Sequence, residues 1–588
     1  MHCARHQAPE APKNGRYLRK PAGMNRITRR LLSERCSPWL HVALLCLVGA
    51  WFFLPLLGSV HLFDWDEANF AEASREMIQT GEYFRVQINY EPFWEKPPLF
   101  FWLQSASMHL FGINEFAARF VNALCGIVTL GIVYLIGRRL YDYSFGLLWA
   151  LSFLGSFLPH FFFRSGVIDP VFNLFIFLGI HFLARATEPS EEASGSTRPY
   201  VWAGIAVGAA VLTKGPVAFL VTGLCIAVVW ALRRFRPVFS RKGLILFCTA
   251  VAAVSFLFYG VETIRHGTWF IEEFLKYHLR LLRTGDAGHG RPFYFHPLVL
   301  LFGCFPASFF ALRGLGRRVS RDPVKDHYTD WMVVLFWVVL ILFSLVKTKT
   351  VLYSSLTYFP ITYLAAWHIH GVIHRRLVWG WKLNLAVGAF GLLCALAIAL
   401  FPPALMFEEA IAPLIQDKFA LACLERPVPW SGLEILVGLG YGMALAAGVW
   451  AMGRGGFARG TTVVLAASAL CVQLFMIVFA PKMEHYIQRG PIEFYKSFAG
   501  RDDAYMRPLF KSYAYLFYSR AGPPMPPESR NKEWLLTGPI DKPAYFVSKS
   551  TRRRKYLRKY NLEELRTEYG FSYFRRDPPA GADSVSSD

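Results

Sequence analysis

Three charged residues near the start of the chain are of types that carry out or support transfer chemistry. Asp66 and Glu67 are adjacent, and Lys96 follows them within a block, 63–99, that is dense in acidic and aromatic residues. A carboxylate is a common general base, and an ammonium group held near carboxylates at a bilayer surface suits a phosphate group. What these residues do depends on the side of a membrane that they face.

The same pattern also has a purely structural interpretation. Asp66 and Glu67 open an amphipathic helical pattern that ends at Gly81, a suitable C-cap. With Asp64 as N-cap, Glu67 stands where a capping box needs a carboxylate, and negative charge is favourable at a helix start in any case. The pattern therefore predicts a short helix lying in the membrane interface. For Lys96, the structural interpretation is that its side chain snorkels towards the membrane surface.

The elements that must position these residues are membrane spans. The chain has 588 residues, of which 54% are hydrophobic, and the apolar residues come in blocks of about 15–25, the length that crosses a bilayer. This pattern predicts a mainly α, polytopic membrane protein of about 13 transmembrane helices. The predicted spans are 39–62, 118–137, 145–163, 168–186, 200–213, 215–232, 243–263, 294–313, 331–346, 351–371, 380–402, 431–452 and 461–480.

The basic residues predict the orientation of these spans. Alternate loops carry arginine clusters, such as Arg138-Arg139 and Arg375-Arg376, which the positive-inside rule places in the cytoplasm. Residues 1–38 are then a basic cytoplasmic segment before an uncleaved anchor, with Met24 as an alternative start. The same rule accounts for the net charge of +22, so no nucleic-acid partner is expected, whereas contact with anionic membrane lipids is compatible.

This orientation collects the unusual polar residues at the outer membrane–water boundary. The first outer loop, 63–117, is joined there by Asp169, Lys214, and the pair Lys347 and Lys349. Charged residues at membrane depth are costly and commonly functional, although helix capping also explains Asp169 and snorkelling also explains the lysine pair. Chemistry is therefore expected at the outer boundary.

The last part of the chain differs in composition. An odd number of spans places residues 481–588 outside, where apolar runs shorten and prolines at 523–524 and 526–527 mark a turn or linker. Segments 544–547 and 571–574 are predicted as strands and 562–568 as a helix. We expect a small C-terminal α/β extracytoplasmic domain with a disordered end at 578–588.

An ordered set of short motifs resembles a known family. The motifs are DEANFAEASREM at 66–77, EKPP at 95–98, FG at 111–112, AAR at 117–119, IDP at 168–170, LTKG at 212–215, DAGHGRPF at 286–293 and SLVKTK at 344–349. In this order they resemble the ArnT-like branch of the protein-mannosyltransferase superfamily, membrane glycosyltransferases of the GT-C fold that include the lipid A aminoarabinose transferase. The chain departs from the aminoarabinose enzymes after the acidic pair, where it has Ala68 and then Asn69-Phe70 in place of Arg-Tyr.

The resemblance implies a glycosyltransferase domain over residues 39–480, in the bacterial inner membrane, that takes a sugar from a polyprenyl-phosphate donor on the extracytoplasmic face. It implies a catalytic Asp66 with Glu67 beside it. The residues expected around the donor phosphate are Lys96, Asp169, Lys214, Lys347 and Lys349. Glu95 and His289 are suggested as a zinc-like metal pair, provided that the loop 264–293 folds back over the first block.

A sugar linked to a lipid phosphate already carries an activated leaving group, so the enzyme must orient the acceptor and stabilise the departing phosphate. The lysines neutralise that anion, and Asp66 accepts the proton of an acceptor hydroxyl. If the acceptor is itself a phosphate, Asp66 chiefly positions the reactants. A lipid A-like glycolipid and a protein hydroxyl both remain open as acceptors.

The alternative is a multi-pass lipid or sugar transporter or flippase without transferase activity. Such a protein would place charged or broken helices near the bilayer midplane within internal repeats. The sequence shows no repeat, and its unusual charges cluster at one face. The transferase is therefore favoured.

Overall fold

The computed structural model describes residues 37–190, 195–283, 290–316 and 322–579. Over these residues the chain is mainly helical, as predicted. The predicted basic N-terminal segment and disordered C-terminal end lie almost entirely outside the described residues.

The helices are, in chain order, α1 Pro38–Phe53, α2 Asp66–Thr80, α3 Leu99–Phe111, α4 Glu115–Leu140, α5 Tyr143–Leu154, α6 Phe157–Phe162, α7 Asp169–Ala186, α8 Arg198–Lys214, α9 Val217–Leu232, α10 Arg241–His266, α11 Trp269–Arg283, α12 Phe295–Gly303, α13 Ala307–Ala311, α14 Pro323–Leu345, α15 Tyr358–Ile373, α16 Trp381–Met406, α17 Glu408–Ile411, α18 Lys418–Leu424, α19 Ile435–Gly453, α20 Phe457–Val478, α21 Ala480–Ile487, α22 Arg489–Lys496, α23 Ala514–Ser519, α24 Lys532–Thr537 and α25 Arg553–Lys559. The strands are β1 Gln87–Ile88, β2 Glu91–Pro92, β3 Tyr505–Pro508, β4 Ala544–Lys549, β5 Glu563–Glu568 and β6 Phe571–Arg576.

Within the described ranges, seven helices are long and apolar enough to cross a membrane, namely α4, α7, α10, α14, α16, α19 and α20. A bent pair, α12 with Ala307–Leu315, adds an eighth candidate and turns by 107° at its break. Helices α1, α5 and α9 are apolar but shorter. The described part of the chain is therefore multi-pass and helical, with seven or eight candidate spans by length and composition, and the predicted count of 13 stays a prediction.

Close helix packing sets the geometry at one end of the bundle. On α7, a methyl group at Gly179 would lie 2.6 Å from the Val207 side chain on α8, and on α8 one at Gly204 would lie 2.5 Å from the Phe247 carbonyl oxygen on α10. Small residues of this kind let membrane helices approach closely. The start of α7 and the end of α8 are thereby held side by side.

The loop between α1 and α4 is folded into the protein. Helix α2 ends at Gly81 in the predicted left-handed conformation, but it is buried from Glu67 to Met77. The polar side chains of α2 form hydrogen bonds within the protein: Arg75 donates to Glu72 and to the Ala521 carbonyl oxygen, each at 2.7 Å. Helix α2 is therefore packed inside the protein from Glu67 to Met77, and its predicted place at the membrane interface stays a prediction.

The C-terminal region contains a four-stranded sheet in the order β3–β4–β6–β5. Strands β3 and β4 are parallel, and the other two pairs are antiparallel. The predicted strands at 544–547 and 571–574 are present, but the predicted helix at 562–568 is wrong, because that segment is strand β5. Pairing with β6 outweighs the helix preference of its Glu and Leu residues, as tertiary context commonly does.

Candidate active site

A cavity of about 1020 Å³ opens where α7 begins and α8 ends. Six residues singled out from the sequence line it, namely Asp66, Glu67, Glu95, Lys96, Asp169 and Lys214. The structure thus brings motifs from four separate segments around one space.

The rest of the cavity wall is largely apolar. Phe161, Phe162, Leu220 and Phe343 are among the residues that form it. An apolar wall that also carries several charged groups suits a ligand that joins a hydrocarbon chain to a polar group.

Asp66 occupies the first turn of α2 and is accessible from the cavity. The preceding residue, Trp65, has a φ of +78°, which is rare for a residue with a side chain. Asp66 is open to the cavity, but the protein atoms around the cavity desolvate its carboxyl group and raise the pKa of that group despite the opposing effect of Lys96. A carboxylate with a raised pKa is a stronger base than an ordinary aspartate.

Glu67 is buried and fully engaged. Its Oε2 accepts hydrogen bonds from Arg119 at 2.7 Å and from the Phe63 amide at 3.0 Å. Its Oε1 accepts from Arg119 at 3.0 Å and from the Gly166 amide at 2.5 Å. Burial opposes ionisation of Glu67, but these donors outweigh it and lower the pKa. Glu67 therefore joins α2 to α4 and to the segment before α7, and its oxygens are not free for a substrate.

The predicted capping box does not form. The N-cap position of α2 is Trp65, with no side-chain cap. Asp64 Oδ1 instead accepts hydrogen bonds from the backbone amides of Tyr513 at 2.8 Å and Ala514 at 3.2 Å. Asp64 thus ties the C-terminal region to the segment that precedes Asp66.

Asp169 and Lys214 form an ion pair between α7 and α8. Lys214 Nζ lies 2.5 Å from Asp169 Oδ1. The same ammonium group lies 5.6 Å from the centre of the Phe172 ring and 5.5 Å from that of Tyr353. The pair places a cation in the cavity wall and compensates the burial of Asp169.

Lys96 supplies a second cation to the cavity. Its ammonium group donates to the Glu95 carbonyl oxygen at 3.2 Å. Burial lowers the pKa of Lys96, Lys214 acts in the same direction, and Glu95 and Asp66 oppose the effect. An anionic group that approached both lysines would relieve this desolvation and repulsion, so the arrangement favours an anionic ligand.

Three predicted site residues are not placed at this cavity. Lys347 is exposed, whereas Lys349 is buried and donates to the Val346 carbonyl oxygen at 2.6 Å. Neither lysine belongs to the lining that the structure describes. His289 lies outside the described residues, so its predicted pairing with Glu95 stays a prediction.

Among the described residues, one group of side chains has the spacing of metal ligands. Asp142, His370 and His374 offer ligand atoms within 4.8 Å of one another. Asp142 follows α4, whose 26 residues span about 39 Å, so the group lies at the opposite end of the bundle from Asp66. No cofactor is established for the candidate site.

Several lining residues were not predicted from the sequence. Arg164 and Asn69 lie in the wall, and Asn69 is only 8% exposed. Its Oδ1 has no hydrogen-bond partner among the described residues. Lys511 and Tyr513 reach the cavity from the C-terminal region. Arg164 directly follows three phenylalanines, and a charge beside such an aromatic run was a signal that could have identified it. No local sequence pattern links Tyr513 to Asp66.

Comparisons with known proteins agree with this architecture. Residues 95–259 match the family described as dolichyl-phosphate-mannose-protein mannosyltransferase. The undecaprenyl phosphate-alpha-4-amino-4-deoxy-L-arabinose arabinosyl transferase of Edwardsiella ictaluri is 27% identical over 376 residues, which cover 62% of this chain and 66% of that protein. The corresponding transferase 2 of Sodalis glossinidius is 28% identical over 61% of this chain and 64% of its own length.

The fold also matches a solved structure. ArnT from Cupriavidus metallidurans bound to undecaprenyl phosphate has a TM-score of 0.69 with this chain, at 17% identity, over 93% of this chain and 99% of that one. The apo structure of the same protein gives a TM-score of 0.67. The chain has the ArnT-like GT-C fold, and the resemblance seen in the motifs is confirmed.

Proposed function

We propose that this ArnT-like chain is a membrane glycosyltransferase that moves a sugar from a polyprenyl-phosphate-linked donor to an acceptor at the extracytoplasmic face. The observation that carries the proposal is the cavity in which Asp66 lies with Lys96 and Lys214 beside a large apolar wall. The lysines match a phosphate and the apolar wall matches a polyprenyl chain. The names of the similar arabinosyl transferases and the ArnT fold support the same reaction class.

The proposed step breaks the bond between the anomeric carbon of the sugar and the phosphate oxygen, and it forms a bond to an acceptor oxygen. The departing phosphate keeps the bonding electrons, and Lys96 and Lys214 stabilise its charge. When the acceptor is a hydroxyl, its proton passes to Asp66. When the acceptor is a phosphate, no proton needs to move and Asp66 holds the reactants in line.

We assign Glu67 a positioning role instead of the direct one predicted from the sequence. Its ion pair with Arg119 and its bond to the Gly166 amide fix the start of α2. Asp66 is therefore presented on a rigid turn. Lys347 and Lys349, which the sequence placed at the donor phosphate, have no part in this proposed step.

The finer topology belongs to the same proposal. We keep the 13 predicted spans, the cytoplasmic N-terminus and the extracytoplasmic domain at residues 481–588. With this topology, Asp66 would lie on the outer side of a bacterial inner membrane. A lipid or glycolipid and a protein hydroxyl both fit as acceptor classes. A divalent metal at Glu95 and His289 stays a prediction, and no step of the reaction depends on it.

The test measures the transfer of a radiolabelled sugar from donor to acceptor in membranes that contain the full chain and in membranes that lack it. Labelled undecaprenyl phosphate-4-amino-4-deoxy-arabinose and labelled polyprenyl phosphate mannose are supplied in parallel. We expect chain-dependent release of free polyprenyl phosphate, with the label passing to an acceptor, from at least one donor. A flippase would move the intact lipid across the bilayer without releasing polyprenyl phosphate, and that result would contradict the proposal.

A further inference from the structure

Three side chains converge at the end of the bundle that lies away from Asp66. Asp142 stands between α4 and α5, and His370 and His374 stand one turn apart at the end of α15. Their ligand atoms lie within 4.8 Å of one another. Two imidazole nitrogens and a carboxylate oxygen are a ligand set that zinc takes in proteins. Histidines four residues apart share one face of a helix, so both can reach a single ion.

The carboxylate of Asp142 is already oriented towards the histidines. Its Oδ1 accepts hydrogen bonds from the Phe145 amide at 2.9 Å and from the Ser144 hydroxyl at 2.6 Å, and it thereby caps the start of α5. Its Oδ2 lies 2.8 Å from His370 Nε2. Supporting hydrogen bonds of this kind fix the carboxylates that bind metals in proteins. One oxygen of Asp142 therefore caps the helix, and the other faces the position of an ion.

His374 presents its Nε2 atom as the ligating one. Its Nδ1 lies 2.9 Å from the His370 carbonyl oxygen. Because a carbonyl oxygen only accepts, Nδ1 carries the proton and Nε2 keeps the lone pair that a metal needs. The His374 ring is exposed, whereas His370 is buried, and the two ring centres are 3.9 Å apart. An ion can thus enter from solvent and meet a buried histidine that is already in place.

The end of α15 also favours a cation. The last carbonyl groups of a helix carry partial negative charge, and His370 stands in the last turn of α15 with His374 as its C-cap. Neighbouring ligand atoms in a tetrahedral zinc site lie about 3.4 Å apart. The cluster therefore needs to contract only slightly around an ion, and its exposed member, His374, has room to make that movement.

We propose that Asp142, His370 and His374 form a site for a divalent metal of the zinc type, with water as the fourth ligand. The ion takes the place of the proton between Asp142 Oδ2 and His370 Nε2, and that proton passes to solvent. The metal then links the turn between α4 and α5 to the end of α15 and clamps these helices together. The site is separate from the cavity that contains Asp66, and the proposed sugar transfer does not depend on it.

Zinc binding to the purified full chain tests the site. The chain is stripped with EDTA, freed of the chelator, and titrated with zinc chloride by equilibrium dialysis. Each variant is made with and without His289→Ala, so that zinc at the predicted pair of Glu95 and His289 is counted separately. We expect one zinc ion per chain in the His289→Ala background. Zinc should also raise the melting temperature, because the ligands come together only in the folded chain, and EDTA should reverse the rise.

His374→Ala tests the residues, because its exposed side chain can be removed with little effect on the fold. We expect zinc affinity to fall at least tenfold and the effect of zinc on the melting temperature to disappear. His374→Cys supplies another zinc ligand and should retain binding. The matched control is His266→Ala. His266 is an exposed histidine that pairs with Glu262 at 3.1 Å but has no third ligand among the described residues, so its loss should leave zinc binding unchanged.

Two results would overturn the proposal of a metal site. One is a chain that binds no zinc in the His289→Ala background, and the other is equal zinc affinity in His374→Ala and in the control. If zinc raised the melting temperature of His374→Ala as much as that of the unaltered chain, the clamp between α15 and the turn before α5 would be contradicted.

Discussion

Asp66 experiences opposing electrostatic influences. Desolvation by the surrounding protein atoms favours its neutral form, whereas the ammonium group of Lys96 favours its charged form, and desolvation is the larger effect. A base held in this way becomes active only above a pKa that lies higher than that of an ordinary aspartate. Activity should therefore fall as the pH drops through that raised pKa.

Replacing Lys96 tests this balance directly. Lys96→Met removes the largest effect that lowers the Asp66 pKa, so the acidic limb of the pH profile of kcat/KM is expected to move to higher pH. Donor affinity should also fall by about tenfold or more, because a phosphate contact is lost. The measurement is a pH profile of transfer with saturating acceptor.

The matched control for Lys96→Met is Lys347→Met. Lys347 is an exposed lysine that does not line the described cavity. Its replacement is expected to change neither the acidic limb nor the donor affinity. An acidic limb that stays in place in Lys96→Met would argue against Asp66 as the titrating base.

At the scale of elements, the turn before α2 is fixed from the C-terminal region. Asp64 accepts hydrogen bonds from the backbone amides of Tyr513 and Ala514, and the Tyr518 hydroxyl accepts one from the Leu62 amide at 2.6 Å. These bonds anchor the residues just before Trp65, whose φ is positive. The C-terminal region thus contributes to the position of Asp66.

The Asp64 contact predicts a pattern of rescue. Asp64→Ala leaves the two amides without their acceptor and is expected to lower kcat about tenfold while the KM for the donor changes little. Asp64→Asn keeps an acceptor oxygen and should restore most of the rate. Equal losses in both variants would show that the charge of Asp64, not its hydrogen bonds, is what matters.

The end of α8 is a second place where backbone geometry positions a functional side chain. Gly215 has a φ of +92°, and a methyl group there would lie 2.2 Å from the Phe274 ring. Gly215→Ala is expected to cost about 2–4 kcal/mol from left-handed strain and overpacking. It should also displace Lys214 and weaken undecaprenyl phosphate binding.

Thermal unfolding and binding of undecaprenyl phosphate measure both effects of Gly215→Ala. The control is Gly223→Ala, a position within α9 where an added methyl group meets no atom within 4 Å. The control should melt at or slightly above the wild-type temperature, since alanine favours a helix. A Gly215→Ala chain that melts and binds like wild type would contradict the assigned role of this glycine.

At the scale of the whole molecule, the proposed topology puts the catalytic cavity and the C-terminal sheet on the same, outer side. Alkaline phosphatase folds only outside the cytoplasm because it needs disulfides. Fused after residue 579, it is expected to be active, whereas the same enzyme inserted after Arg376, between α15 and α16, should be inactive. The reverse pattern would invert the predicted orientation.

The predictions from sequence agree best with the structure where a feature depends on residue types within one segment. The apolar blocks predicted the helices, and unusual charges such as Asp169 and Lys214 drew attention to positions that the fold brings together. They agree less well where long-range contacts decide the structure. The burial of α2, the strand at 563–568 and the approach of Tyr513 to Asp64 depend on partners far away in the chain, which no local pattern encodes.

The catalytic role of Asp66 is tested most directly by measuring transfer from labelled lipid-linked donor in membranes that contain the Asp66→Asn variant. The substitution keeps the shape of the side chain but removes its charge and basicity, and Asp502→Asn, at an exposed position outside the cavity, is the control. At equal protein level, we expect Asp66→Asn to lose at least a hundredfold in rate while it still binds undecaprenyl phosphate, and we expect the control to transfer normally. Full transfer by Asp66→Asn would contradict a catalytic role for Asp66.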